Sequence, residues 1–471
     1  MSETSPVLTP PSAHPLARLF HPGTVRARCA AITRSVDANV STHFTLDRSR
    51  LPAAAERVAA LTLRRFPDLS IPYHSRWRHF GAGGVDRKAE LDALLAGRSV
   101  ADVARARFDL TVLSVLLDAG AGSRWTYTER AEVDAAALPV QRHASDDLLA
   151  LLDRAARGPG APASGTGAGQ AAADAGAAAG VVHVRSEGLA LASLRAFVAG
   201  VFSASPSDAL RADAATLKLV DAAVLRGVFQ VTPANPMVGL EGRAGLIGRL
   251  GDVLATEAAR TGLQPRPGLL YDQLTAGGTR TEVSAAEVLG SVLRLLSPIF
   301  TSGSRVQGLP AGDVWPHRWA GAAVGANAVD PTTDGWVPFH KLSQWLTYSL
   351  LEPLQWAGVQ VSGLDALTGL PEYRNGGLLI DCGVIVPRDP RDLARTWKPG
   401  DEFIVEWRAL TVTLLDELAT LVRARLGRTA DELPLACVLE GGTWAAGREI
   451  AAEQRSDGAP PLQIDSDGTV F

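Results

Sequence analysis

The spacing of apolar residues constrains this chain more than any other feature of its sequence. Over long segments, apolar side chains recur every three or four residues, which places them on one face of an α-helix. The segments with this pattern are residues 53–66, 100–120, 186–202, 213–230, 239–261, 284–300, 337–354 and 399–427. The alternation typical of a β-strand is scarce, and its best examples are residues 378–386 and 435–442. We therefore predict a mainly α, helical fold with a small β element near the C-terminal part.

One segment interrupts the helical pattern. Residues 158–180 contain only Gly, Ala, Pro, Ser, Thr, Gln and Asp. Such a segment buries little apolar surface, so burial does not offset the entropy that it would lose on ordering. We predict a flexible insert there, between an N-terminal helical region at residues 16–157 and a C-terminal helical region at residues 181–471. The chain is long enough for these regions to form two lobes.

Composition and charge exclude several classes of protein. Lys and Arg number 46 against 50 Asp and Glu, so no overall field attracts nucleic acid or an acidic membrane. The three cysteines are odd in number and far apart, which gives neither a disulfide framework nor a C-x-x-C metal motif. The N-terminal residues are Pro-rich and polar where a secretory signal needs an apolar core. We expect a cytoplasmic protein with no nucleic-acid or membrane partner.

Motifs of the common cofactor and metal sites are absent from the sequence. It has no G-x-x-x-x-G-K-[ST], no G-x-S-x-G, and no G-x-G-x-x-G between a strand and a helix. His74 and His79 are five residues apart, which suits neither one helical face nor one strand face, and no H-E-x-x-H accompanies them. We therefore expect no metal and no cofactor.

The segment VPFHKLSQWLTYSLLEPL, residues 337–354, has two different faces as a helix. One face is a row of leucines and belongs to the core. The other face holds a cation, an amide, aromatic rings and an acid: Lys341, Gln344 or Trp345, Tyr348 and Glu352. It is either an ordinary helix end with Lys341 reaching to solvent or one wall of a ligand site.

The segment LPEYRNGGLLID, residues 370–381, brings an acid, an aromatic and a base together before Asn-Gly-Gly. Asn-Gly and Gly-Gly favour turns, so we predict a chain reversal there. Glu372, Tyr373 and Arg374 then lie at the mouth of the turn. They form either a surface turn with an ion pair or one lip of a site for a small polar ligand.

The long helical segment at residues 399–427 contains a candidate buried acid. Glu406 flanks its apolar stripe, and a buried Glu requires a partner or a raised pKa. It is either paired with an Arg of another helix or a carboxylate of an active site. Arg408 points elsewhere on a helix, so we expect no Glu406–Arg408 pair. Further on, Thr443 in LEGGTWAAGREIA is either an N-cap or part of a phosphate-binding turn.

Several longer motifs resemble the uracil-catabolism protein family of fungi and bacteria. They are FHPGTVRAR, YHSRWRHFGAGGVDR, NPMVGLEGR, VPFHKLSQWLTYSL, LTGLPEYRNGGLLID and EWRALTV, with SDGTVF near the C-terminus. The resemblance runs from about residue 16 to the end, without the insert. It implies a role in the degradation of uracil at the nucleotide level, with final release of urea. It also implies association with other uracil-catabolism enzymes.

A more distant resemblance concerns the reaction. The order F-x-K-x-x-Q, acid-Tyr-Arg and Glu-x-Arg-Ala is similar to the queuosine-nucleotide N-glycosidase family, mostly helical enzymes that cleave a base from ribose phosphate. This resemblance implies that Lys341 is a phosphate ligand and Glu372 the catalytic acid.

Together these points predict a hydrolase that cleaves the N-glycosidic bond of a ribosyl-urea-type nucleotide, releasing urea and ribose phosphate. The expected partner is a small phosphorylated ribosyl substrate. We assign catalysis to Glu372 and Glu406, because a carboxylate near C1′ stabilises positive charge on the ribose or activates water. The substrate-binding residues would be Lys341 and Arg374 for the phosphate, Tyr373, Trp345 and Tyr348 as walls, His340 or Gln344 against the urea, and Arg408. The alternative is a non-catalytic ligand-binding or scaffold protein of the same pathway.

Overall fold

The structure is a computed structural model and describes residues 16–118, 120–122, 124–129, 180–300, 304–320 and 333–465. Helices dominate these residues, so the predicted mainly α class is confirmed. In chain order the helices are α1 Pro22–Asp37, α2 Leu51–Arg65, α3 Arg76–Phe80, α4 Arg87–Leu94, α5 Val100–Leu116, α6 Arg185–Val198, α7 Ala214–Leu217, α8 Ala222–Val228, α9 Leu240–Thr261, α10 Leu269–Thr275, α11 Ala285–Leu296, α12 Lys341–Trp356, α13 Tyr373–Asp381, α14 Glu402–Leu426, α15 Leu435–Val438 and α16 Trp444–Gln454.

The strands are short and pair only in twos within the described residues. They are β1 Phe44–Leu46, β2 Thr126–Glu129, β3 Val181–Val184, β4 Glu282–Ser284, β5 Arg305–Val306, β6 Leu309–Pro310, β7 Val314–Pro316, β8 Trp336–Pro338, β9 Gln360–Ser362, β10 Ile385–Pro387, β11 Thr396–Trp397 and β12 Gln463–Ile464. The antiparallel pairs are β1–β10, β2–β3, β5–β6 and β7–β8, and the parallel pairs are β4–β9 and β11–β12.

The chain divides into two compact units. Arg76–Leu269 forms one unit, and the chain on both sides of it forms the other, which we call the split unit. The predicted insert at residues 158–180 lies outside the described residues except for residue 180. The predicted region boundaries therefore remain predictions.

The long helix α14 forms the centre of the split unit. Its apolar stripe is buried because α1, α2 and α13 pack against it. Gly427 ends the helix with a φ of 63°, a conformation that glycine adopts without steric cost. One cluster of its core joins α1, α14 and the strand β8 and contains Val25, Cys29, Ile32, Val337, Phe339, Val405, Ala409 and Val412.

The predicted turn in LPEYRNGG is wrong, because Tyr373–Asp381 is a helix. The Glu372 carboxylate caps it by accepting the backbone N–H groups of Arg374 at 2.8 Å and Asn375 at 2.6 Å. The glycine at 376 serves close packing instead of a turn. A Cβ there would lie 2.3 Å from Cζ2 of Trp407.

Both predicted strands are largely wrong for the same kind of reason. Of residues 378–386, only Ile385 and Val386 belong to a strand, β10; residues 378–381 complete α13, and residues 382–384 form the turn between them. Residues 435–442 form α15 and a π-helical turn at Leu439–Thr443. Short apolar runs do not distinguish a buried helix from a strand. The π-helical turn packs against α2, and α13 packs against α14 and α16.

Two predicted helices have different limits in the structure. The segment 213–230 forms two helices, α7 and α8, and Asp221 caps the second by accepting the N–H of Val224. The segment 337–354 begins with β8, so its helix α12 starts only at Lys341. That helix continues for three residues beyond Pro353, which we expected to end it.

Candidate functional site

Arg408 of α14 joins three segments of the split unit. It is fully buried, and its Nη1 and Nη2 atoms each donate a hydrogen bond of 2.7 Å to the carboxylate of Asp313. Its Nε donates a longer bond of 3.4 Å to the carbonyl of Pro371, the residue before Glu372. Its guanidinium lies 4.2 Å from the centre of the Phe339 ring. Arg408 therefore fixes the start of α12 and the start of α13 relative to α14.

Asp313 is a site residue that the sequence analysis missed. Besides Arg408, its carboxylate accepts the indole N–H of Trp315 at 2.7 Å and the backbone N–H of Lys341 at 3.0 Å. Burial raises the pKa of Asp313, but the charge and hydrogen bonds of Arg408 outweigh burial and hold that pKa below its ordinary value. The Asp313 carboxylate is therefore ionised, and it lies at the N-terminus of α12, where the helix dipole stabilises its negative charge.

His340 precedes α12 in a left-handed conformation, with φ 50° and ψ 37°. Few non-glycine residues adopt this conformation, and it costs on the order of 1 kcal/mol or more. The ring is buried, and its Nε2 lies 2.8 Å from the carbonyl of Leu19, so Nε2 carries the proton and donates. Burial lowers the pKa of His340, which favours the neutral ring.

A cleft lies beside the start of α12. It is lined by Asp313, His340, Leu342 and Ser343 and by the end of α11. Its space, including solvent at the mouth, is about 220 Å³. The predicted Lys341 lies in this part of the fold and is half-buried.

Gln344 and Tyr348 are buried and tie α12 to the segment that leads to α13. The Gln344 amide donates to the Thr368 hydroxyl at 2.5 Å and accepts the Thr368 backbone N–H at 3.2 Å. The Tyr348 hydroxyl donates to the Thr368 carbonyl at 3.0 Å, and burial raises its pKa. The predicted polar face of α12 therefore fixes the approach to Glu372. Trp345, on the same helix, is also buried.

Glu372, Tyr373 and Arg374 all lie at the start of α13 and are half-buried. Both Glu372 oxygens accept backbone N–H groups of α13. The Arg374 guanidinium donates to the Gly458 carbonyl at 3.0 Å, and the Tyr373 hydroxyl lies 3.4 Å from the Ile464 carbonyl. Burial, then the Glu372 carboxylate, raises the pKa of Tyr373 to about 12. The surface turn with an ion pair, one of the two alternatives, is wrong because the segment is helical: the Glu372 carboxylate accepts backbone N–H groups, and the Arg374 guanidinium donates to a backbone carbonyl.

Glu406 lies on the other side of α14 from Arg408, as expected, and the two do not pair. It is fully buried, and its Oε1 accepts a bond of 2.5 Å from the Ser41 hydroxyl. Its Oε2 lies 3.7 Å from Nε2 of His317, which is also fully shielded from solvent. Among the described residues, neither of these two atoms has a hydrogen-bond partner.

Two further ionisable side chains border this pair. His43 Nε2 lies 3.6 Å from Glu402 Oε2, and His317 Nε2 lies 4.0 Å from Glu402 Oε1. Arg318 donates to both Glu402 oxygens and is the main reason why the pKa of Glu402 is lowered. We call Ser41, His43, His317, Glu402 and Glu406 the carboxylate–histidine cluster.

The strand β7 connects the cluster with the Arg408 junction, by which we mean Arg408 together with its partners Asp313 and Pro371. Asp313 immediately precedes β7 and contacts Arg408, whereas His317 immediately follows it and lies next to Glu406. The sequence analysis singled out neither residue. The pattern DVWPHRW, with an acid and a histidine beside two tryptophans, was the available signal.

The predicted N-cap at Thr443 is wrong. Its backbone is helical, with φ −65° and ψ −46°, and its hydroxyl donates to Asn375 Oδ1 at 2.8 Å. The π-helical turn runs directly into α16, so Gly441 and Gly442 do not form a loop in front of a helix start. This removes the free N–H groups that a phosphate would need there.

Two features are absent from the described residues. In these ranges, no group of three or more His, Cys, Asp or Glu side chains has the arrangement of a metal site. The helices of the same ranges include none that is long and apolar enough to cross a membrane. The expectation of no metal and no cofactor stays a prediction.

Comparisons with known proteins cover nearly the whole chain. The profile of the DUF1688 family, described as "Protein of unknown function", matches residues 18–142 and 165–471. The chain is 34% identical over 468 residues to "Protein urg3" of Schizosaccharomyces pombe, covering 98% of this chain and 100% of the relative. It is 36% identical over 456 residues to "Uracil catabolism protein 4" of Lachancea kluyveri, covering 91% of this chain and 92% of the relative. The chain therefore belongs to the DUF1688 family.

Proposed function

We propose that this chain is a hydrolase of uracil catabolism that cleaves the N-glycosidic bond of a ribosyl-urea-type nucleotide. The products would be urea and ribose phosphate. The role in uracil catabolism is supported by the name of a relative, "Uracil catabolism protein 4", that aligns with 91% of this chain. The reaction type is a hypothesis that starts from the motif resemblance to the queuosine-nucleotide N-glycosidase family.

The main supporting observation is the junction at Arg408. Through Asp313 it holds the start of α12, which bears Lys341, and through Pro371 it holds the start of α13, which bears Glu372 and Arg374. A nucleotide substrate requires cations for its phosphate and a carboxylate near C1′. The junction brings the two helix starts that bear these groups to one buried guanidinium.

The phosphate is assigned to side chains and not to helix N-termini. Asp313 already accepts the first N–H of α12, and Glu372 accepts two N–H groups of α13. Both helix dipoles are therefore compensated by carboxylates. Lys341 supplies a point charge, and Arg374 supplies a planar fork that suits phosphate oxygens.

Glu372 is assigned to the charge that develops on the sugar. Breaking the C1′–N bond gives the ribose oxocarbenium character, which a nearby carboxylate stabilises. The two N–H bonds from α13 fix the orientation of this carboxylate, so it needs no rearrangement as the charge forms.

A second candidate function is binding without turnover, as a scaffold that associates with other enzymes of uracil catabolism. One observation favours it. Several proposed site residues make hydrogen bonds that also stabilise the fold, namely Arg408, Gln344, Tyr348, Glu372 and Arg374. Tight binding of the intermediate by a protein that does not hydrolyse it would support the scaffold.

The deciding experiment is to incubate the purified protein with ribosylurea 5′-phosphate and to measure released urea and ribose 5-phosphate. Glu372→Gln should lose most of the turnover. Because this change also weakens the cap of α13, Asp221→Asn, which alters the capping carboxylate of α8, serves as the matched control. Release by the wild type and Asp221→Asn but not by Glu372→Gln supports the hydrolase. Binding without release by the wild type supports the scaffold.

A further inference from the structure

The cleft beside the start of α12 opens to solvent at its mouth and has an unsatisfied polar group in its wall. Ser297, which directly follows α11, lines this cleft and is only 3% exposed. Its hydroxyl has no hydrogen-bond partner among the residues that the structure describes. An unsatisfied buried hydroxyl destabilises a fold, so it is expected where a ligand supplies the missing bond. Because a serine side chain turns between staggered rotamers, this hydroxyl can meet a group that enters through the mouth.

The size of the cleft limits the ligand that it can hold. Its space, including solvent at the mouth, is about 220 Å³. Pockets that enclose drug-sized molecules measure about 300–1,000 Å³, so this cleft is too small for a whole nucleotide. Since a water molecule occupies about 30 Å³, the cleft has room for one terminal group of a few heavy atoms.

The wall of the cleft suits an uncharged group. Asp313 lines it, but both of its carboxylate oxygens already accept hydrogen bonds, and the charge of Arg408 neutralises it. The neutral His340 ring also lines it, and because Nε2 donates to Leu19, Nδ1 is left as an acceptor. The other described lining residues carry no charge: Leu293, Ser297, Phe300, Gly312, Leu342 and Ser343. These residues therefore offer no cation to a phosphate and no unpaired carboxylate to a metal ion.

The lysine assigned to the phosphate lies directly beside the cleft. Lys341 stands between His340 and Leu342 in the chain, and both of these neighbours line the cleft. Its backbone N–H donates to the Asp313 carboxylate at 3.0 Å, and Asp313 is also part of the lining. Consecutive Cα atoms are about 3.8 Å apart, so a group in the cleft and a phosphate held by the Lys341 side chain can belong to one small molecule.

We infer that this cleft binds the ureido group of the substrate, with Ser297 donating to the carbonyl oxygen and Nδ1 of His340 accepting an N–H. A ureido group is uncharged, has few heavy atoms and carries both a hydrogen-bond acceptor and donors. The choice of a ureido group rests on the proposed function, whose substrate has this group at the end opposite the phosphate. Gln344, the other predicted contact of the urea, is instead bonded to Thr368. Ser297 is thereby assigned as a residue that determines specificity for the leaving group.

The test measures binding by the full chain, so it does not depend on turnover. The probe is N-cyclopentylurea, which carries a ureido group on a ring without a glycosidic bond, and saturation-transfer NMR spectroscopy measures its affinity. Ser297→Ala should weaken this binding by about two- to tenfold, the contribution of one hydrogen bond between uncharged groups. Cyclopentanecarboxylate replaces the ureido group by an anion and should bind to the wild type about tenfold more weakly, because the cleft offers its charge no partner.

Two controls separate recognition from folding. Ser291→Ala is the same change at a buried serine of α11, whose hydroxyl accepts from Arg294 at 3.0 Å, and it should leave binding unchanged. Ser297→Ala removes a buried hydroxyl that has no partner among the described residues, so its unfolding temperature should equal or exceed that of the wild type. A hydroxyl that served the fold alone would lower the unfolding temperature when removed and leave binding unchanged.

Each contrary result identifies which idea fails. Equal binding of N-cyclopentylurea by the wild type and Ser297→Ala, or no binding by the wild type, overturns this inference. If the wild type nevertheless releases urea from ribosylurea 5′-phosphate, the proposed function stands without it. Binding that depends on Ser297, in a protein that releases no urea, overturns the proposed hydrolysis and leaves the cleft as the ureido site of a binding protein.

Discussion

Arg408 and Asp313 form a buried ion pair with two parallel hydrogen bonds of 2.7 Å, although the residues are 95 positions apart in the chain. The carboxylate also receives the N–H of Lys341, and the guanidinium reaches the carbonyl of Pro371. This single contact therefore determines how the starts of α12 and α13 face α14. Residues assigned to the phosphate and to C1′ depend on it for their positions.

Asp313→Ala should lower the free energy of unfolding by about 3–5 kcal/mol, because it leaves the Arg408 charge buried without its partner. Unfolding in urea, followed by circular dichroism, measures the change. The control is Arg391→Ala, which breaks the exposed pair with Asp389 and should leave the midpoint unchanged. Equal effects of the two substitutions would contradict the central position of the Asp313 pair.

His340 should make the fold less stable in mild acid. Burial lowers its pKa in the folded state, so below about pH 6.5, its ordinary value, the unfolded chain binds a proton that the folded chain resists. Stability should therefore fall as the pH drops from 7 to 5, although the hydrogen bond to the Leu19 carbonyl and the charge of Asp313 oppose the shift and Arg408 reinforces it. His340→Asn, which tolerates the left-handed backbone, should reduce this slope. Identical slopes for the two proteins would refute the prediction.

Gly376→Ala should destabilise the protein by about 1–3 kcal/mol through overpacking. The added Cβ would lie 2.3 Å from Trp407 Cζ2, and the indole is held in place by a bond to the Gly376 carbonyl. Gly290→Ala in α11 is the matched control. There the nearest atom is 3.5 Å away, so the gain in helix propensity should keep stability equal or raise it. Thermal unfolding of both variants measures the difference.

Lys341→Ala and Arg374→Ala should each raise KM for ribosylurea 5′-phosphate by about tenfold or more, since a hydrogen bond to a charged group contributes about 1.5–3 kcal/mol. Neither change should affect turnover of ribosylurea without phosphate. Lys88→Ala, which removes a lysine that pairs with Asp92, should behave as wild type. Equal losses with both substrates would show that these residues do not bind the phosphate.

The candidate site was only partly predictable from the sequence. Periodicity correctly placed Glu406 and Arg408 on different faces of one helix, because both the helix and its apolar stripe are local properties. It did not indicate Ser41, Asp313 or His317. Ser41 and Glu406, for example, are 365 residues apart, and no local spacing encodes such a contact.

The sequence by itself determined the mainly helical class, because the spacing of apolar side chains decides which face of each segment leaves water. Only the tertiary structure decided the conformation of LPEYRNGG. Its glycines are typical of a turn, yet Gly376 packs against Trp407 and the segment begins a helix capped by Glu372. Local propensities differ by about 1 kcal/mol or less per residue, and burial of an aromatic side chain contributes more than that. For this reason packing overrides the turn.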